Sequence, residues 1–189
     1  MKKIITAVFF VLFGIAVVGI FILSAINDAE DGPNTIVPTD GAVSAYRNGD
    51  PILWHKTDQK LSTDGNIRCY KMIYIPSAKE LQITVKYNKI VYQKLDASED
   101  DGFEFILYNT ETKDESGDYT VSEHYSSGRF AYYRLVFQGV EFSDTADVEL
   151  AMHPVGVRDR GSAIKLHRAG QEFEEYKLSD KEIAALGGN

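Results

Sequence analysis

The stretch Leu81-Gln82-Ile83-Thr84-Val85-Lys86-Tyr87 alternates apolar and polar residues without a break. Successive side chains of a strand point to opposite faces, so Leu81, Ile83, Val85 and Tyr87 share one face and Gln82, Thr84 and Lys86 the other. A helix would scatter the same four apolar residues around its axis. The segment therefore predicts a β-strand with one buried and one wet face.

Similar stretches flank it. IRCYKMIYI (67–75), KIVYQKL (89–95), FEFILYN (103–109), DYTVSEHY (118–125), RFAYYRLVF (129–137), DVELAMH (147–153) and SAIKLH (162–167) are mostly rich in β-branched and aromatic residues, and turn formers separate them. Asn48-Gly49 between AVSAYR and DPILWH reads as a type I′ hairpin turn, with Pro51 holding its strand to a sheet edge or a strand start. Short strands without intervening helical patterns predict a mainly β fold, an antiparallel β-sandwich of immunoglobulin-like or jelly-roll-like kind. Two immunoglobulin hallmarks are missing, since Cys69 has no partner and Trp54 comes early. One short helix closes the chain: Ser179 and Glu182 form a capping box, Leu178 and Ile183 can staple across it, and Gly187 can end it.

At the other end, Ile4 to Ile26 is a run of uncharged, almost wholly apolar residues. At 1.5 Å of rise per residue it matches a hydrocarbon core of roughly 30 Å, so it predicts a transmembrane helix. Lys2 and Lys3 precede it and Asp28, Glu30 and Asp31 follow, which keeps residues 1–3 in the cytoplasm. A cleaved signal peptide is the alternative. The run is longer than the usual apolar core of such a peptide, and bulky Leu23 stands where cleavage after Ala25 needs a small residue. Residues 27–41 hold Gly, Pro, Asp and Asn and read as a stalk, followed by an extracytoplasmic β domain over 42–189.

Charge narrows the partners. The chain carries 28 acidic and 20 basic residues, and two of the basic ones precede the apolar run. An acidic exposed domain repels phosphate backbones, which argues against nucleic acid. A single cysteine and the lack of an Asn-x-Ser/Thr acceptor fit a bacterial envelope better than a disulfide-rich animal ectodomain.

No residue pattern names a chemistry. The acidic loop at 96–101 lacks the Gly and Glu spacing of a calcium loop and reads as a solvated hairpin tip. His55, His124, His153 and His167 have no zinc spacing, and no nucleophile-elbow or phosphate-loop pattern occurs. No catalytic residue, metal ligand or cofactor is therefore assigned. The remaining hint is aromatic: Arg68, Tyr70 and Tyr74 alternate along one strand and can present a face that binds sugar or protein, although packing of a central strand buried on both sides is the preferred account of them. The expectation is a membrane-anchored, non-enzymatic binding or scaffolding module, partnered by an envelope protein or wall polymer. An extracellular hydrolase or transferase and a secreted protein with a cleaved signal are the alternatives.

Overall fold

The computed structural model describes residues 13–14, 17–18, 36–92, 102–113, 115–154 and 162–187. The chain divides into two compact units, Met1–Asn34 and Thr35–Asn189. In the first, the four described residues are helical. Among the described residues no helix is long and apolar enough to cross a membrane. The expected span Ile4–Ile26 otherwise lies outside them, as does the acidic loop at 96–101.

The second unit is mainly β. Its strands are β1 (Leu53–Lys60), β2 (Ile67–Ile75), β3 (Glu80–Asn88), β4 (Phe103–Asn109), β5 (Glu115–Ser116), β6 (Tyr119–Ser127), β7 (Phe130–Phe137), β8 (Val148–Pro154), β9 (Ser162–His167) and β10 (Glu174–Glu175). They form two antiparallel sheets, ordered β10-β1-β2-β3-β7-β6 and β5-β4-β8-β9. Leu81, Ile83, Val85 and Tyr87 of the larger sheet pack in one core with Phe105, Leu150, Met152 and Leu166 of the smaller. The two sheets thus face each other as a sandwich, with the apolar face of β3 turned inward as its alternation requires.

The opposite face of the larger sheet is not uniformly wet. Gln82 and Thr84 are buried. A second apolar cluster explains this: Ile73 and Ile75 of β2 meet Ile36, Ala42, Ala45 and Leu186. Ala42 and Ala45 belong to helix α1 (Asp40–Asn48), whose first turn Thr39 caps by accepting the Ala42 N–H. Here the structure corrects the hairpin expected at Asn48-Gly49. Gly49 sits at φ 72° and ends α1, with its N–H reaching Ala45 O and Tyr46 O. A glycine that tolerates the left-handed region serves a helix C-terminus as well as a type I′ turn. The expected strand over 89–95 also gives way, since Lys89–Val91 form a turn after β3.

The packed part reaches further back than the boundary expected at Ala42. Ile36 and Val37 are buried. Val37 donates to Gln82 Oε1 at 2.8 Å and accepts from Gln82 Nε2 at 3.0 Å, so one amide side chain stands in for a neighbouring strand. Helix α2 (Asp180–Ala185) carries the expected capping box on Ser179 and Glu182. Leu178 and Leu186 pack on the second cluster, and Leu186 is fully buried. The larger sheet therefore lies between the smaller sheet and a partial layer made by α1, α2 and their flanks.

Candidate functional site

Beneath that helical layer lies a buried polar network. Lys71, Glu80, Gln82, Arg134 and Glu182 are each less than 5 % exposed. The Glu182 carboxylate accepts from Ile36 N and Tyr176 Oη on one oxygen, at 2.8 and 2.7 Å, and from Ser179 N and Oγ on the other, both at 2.8 Å. Glu80 accepts from Thr39 Oγ1, Gln82 Nε2 and Gln138 Nε2 at 2.7 to 2.8 Å. Buried charge persists only when so satisfied. Burial pushes Lys71 down to about 8 against the pull of Glu182, and holds the Tyr176 phenol well above its usual range. This network joins the two ends of the domain to the sheet.

The other half of the same face is uncovered. Register puts Lys60 of β1 opposite Arg68 of β2, Arg68 opposite Lys86 of β3, and Lys86 opposite Tyr132 of β7. Three cations thus stand side by side on adjacent strands. Like charges directly opposite in a sheet destabilise it. Among the described residues, Asp58 answers them: its Oδ1 accepts from Arg68 Nε at 2.9 Å. The Lys86 ammonium lies 4.2 Å from the Phe130 centroid, 5.8 Å from Tyr132 and 5.9 Å from Tyr70. Arg129 adds a further cation, 4.8 Å over Phe130. Partial burial, with Arg68 and Arg129 nearby, lowers Lys86 from its ordinary value against the pull of Asp58.

The candidates Arg68, Tyr70 and Tyr74 are divided by a bulge. The β2–β3 register shifts between Cys69 and Lys71, so the parity of the strand changes there. Ile67 and Cys69 point inward before the shift, Met72 and Tyr74 after it. Arg68 and Tyr70 belong to the uncovered outer half, where Tyr70 meets Tyr132 edge-on at 6.3 Å. Tyr74 instead stands in the core against Phe142 and Phe173, its hydroxyl donating to Val140 O at 3.3 Å. Lys60, Lys86 and Phe130 were missed as candidates, because only strand pairing brings them to Arg68.

Of the histidines, the side chains of His55, His153 and His167 are described. His55 pairs with Gln171 at 2.8 Å beside an open groove between β1 and β9 that Lys165 and Arg168 also line. His167 stacks on Phe173 at 4.5 Å, and burial lowers it from its ordinary value. His153 is buried 3.8 Å from Glu104. Among the described residues no group of three or more His, Cys, Asp or Glu could hold a metal ion. Cys69 is buried, and desolvation pushes its thiol up to about 12, far from the thiolate a nucleophile needs.

No family model matches the chain, and no curated protein and no solved structure matches it.

Proposed function

We propose that this chain is a non-enzymatic binding module of a bacterial cell envelope, held at the membrane by Ile4–Ile26 with its β domain outside. Its docking surface is the uncovered half of the outer sheet face, and its partner is anionic. One observation carries this reading: Lys60, Arg68 and Lys86 stand in register on three neighbouring strands of a protein with net charge −8. Side by side such charges oppose folding, and among the described residues only Arg68 of the three is drawn into an ion pair. An anion that lies across it offsets the repulsion and gains direction from the flanking rings. The uncharged apolar run and the charges at its two ends support the anchor and its orientation. The likeness to immunoglobulin or jelly-roll folds goes no further than two antiparallel sheets facing each other.

The test uses the full chain in detergent as bait for envelope material, beside Lys60→Glu and Lys86→Gln. Wild type retains an anionic component that both variants release at least tenfold more readily. Equal retention by wild type and variants would sink the reading.

A further inference from the structure

We infer that the partner of this surface is an acidic polysaccharide, a linear chain of sugar rings bearing carboxylates, laid across the strands along Lys60, Arg68 and Lys86. The inference rests on the binding-module reading above and names its ligand. Three features of the surface select this chemistry.

The first is direction. Neighbouring strands lie about 4.8 Å apart, so the backbone positions of the three cations fall on a line about 10 Å long that crosses β1, β2 and β3 at right angles to the chain, with the Arg68 guanidinium drawn toward Asp58 and the Lys86 ammonium toward Phe130. The step between these backbone positions is comparable to the length of one pyranose unit. A linear polyanion matches a row in a way that a compact anion does not.

The second is the company the row keeps. Tyr70 and Phe130 flank Lys86 and remain partly exposed, while Tyr132 forms the floor beneath them. Partly exposed rings offer flat apolar faces to the C–H faces of sugars, and the cations meet the carboxylates. A carboxylate chain without rings would use the cations alone.

The third is relief. Helix α1 and the Tyr176–Leu186 segment cover the neighbouring half of the same face. A helix with its side chains stands about 10 Å above the sheet it packs on, so the row lies at the foot of a step. A flat bilayer meets the helices first, whereas a thread-like polymer reaches the row. Anionic lipid is thereby disfavoured.

The experiment measures binding by the full chain in nanodiscs of uncharged lipid. Polygalacturonate is the probe; dextran, polyglutamate, single-stranded DNA and phosphatidylglycerol vesicles are the comparisons. Polygalacturonate binds and dextran does not. Polyglutamate and DNA bind at least tenfold more weakly, and vesicles do not compete. Lys60→Gln and Lys86→Gln each weaken binding severalfold and flatten its salt dependence by roughly one charge. Tyr70→Ala weakens it about fivefold with the salt dependence unchanged, a readout that charge alone cannot give. Lys60 is exposed, so its variant folds and keeps the test open if Lys86→Gln does not.

Equal affinity for polyglutamate, tighter binding of DNA, binding to vesicles in place of polygalacturonate, or a Lys60→Gln variant indistinguishable from wild type would each overturn the inference. If envelope material is still captured through the row while polygalacturonate is ignored, the docking surface stands and the sugar falls.

Discussion

Lys71 on β2 donates a hydrogen bond to Tyr176 Oη at 2.9 Å, and its ammonium lies 4.0 Å from the centroid of that ring. Two residues 105 positions apart thus meet under the helical layer, and the encounter leaves a signature in pH. Burial lowers Lys71 from 10.5 to about 8 in the folded protein. Below that value both states carry the proton and the cost of the buried cation is constant. Between about 8 and 10.5 the unfolded chain holds a proton that the folded one has shed, so stability rises with pH. Urea unfolding should show wild type gaining on Lys71→Met by up to about 3 kcal/mol across that window, and by nothing below it.

Cys69 acts in the opposite sense. Its thiol rises from 9.0 to about 12 on burial, so between those values the unfolded chain loses a proton that the folded one keeps, and stability falls. Cys69→Ala removes this alkaline loss. The same burial makes the native thiol inert to a disulfide reagent at pH 8. Labelling should follow global unfolding, and rapid labelling of the native protein would contradict the packing.

Gly41 within α1 and Gly49 just after its end both respond oppositely to what helix propensity suggests. A Cβ on Gly41 would lie 2.7 Å from Ala78 Cβ and 3.0 Å from Glu80 Oε2. Gly41→Ala should therefore destabilise by about 1 to 3 kcal/mol, although alanine in an open helix gains about 1. Gly49→Ala meets no atom within 4 Å and costs about 1 to 2 kcal/mol through its positive φ alone. Asn48→Ala changes little, because Asn48 is exposed and helical; a type I′ turn at this position would make it costly.

Glu182 satisfies four donors, so its truncation strands several of them. Glu182→Ala should cost on the order of 3 kcal/mol, combining a lost capping box with the buried Ile36 N–H and Tyr176 hydroxyl left unpaired. Glu182→Gln keeps an acceptor and costs less. Amide exchange at Ile36 and Val37 should accelerate in the alanine variant before that of β3.

The cation row separates stability from binding. Lys60→Gln removes one of two like-charge neighbours, so at low ionic strength it should stabilise the fold by a few tenths of a kcal/mol up to about 0.5. A loss of stability would show the row to be structural.

Local pattern carried the strands well. The bounds Ile67–Ile75, Phe103–Asn109 and Ser162–His167 are legible to the residue, because turn formers end each run of β-branched and aromatic side chains. The capping box of α2 is equally local. At Asn48-Gly49 one dipeptide suits two structures; the deciding sign was Thr39 three residues before the buried Ala42, with Ala45 one turn on. Cover over Gln82 and Thr84 comes from segments far away in sequence, which period alone does not show. The β2 bulge hides for a related reason: apolar residues lie on both sides of it, so a change of parity leaves the alternation looking intact. Lys60 and Lys86 escaped notice because their meeting with Arg68 depends on register, a property of pairs of strands.

A pull on the polypeptide from its N-terminal side enters the fold at Ile36, where it meets the Glu182 carboxylate and, one residue on, the Gln82 amide. Those few bonds take the load before any strand ladder does. The first thing to yield under tension is therefore a latch between the two ends, while the strands behind it keep their pairing and the row of cations its spacing.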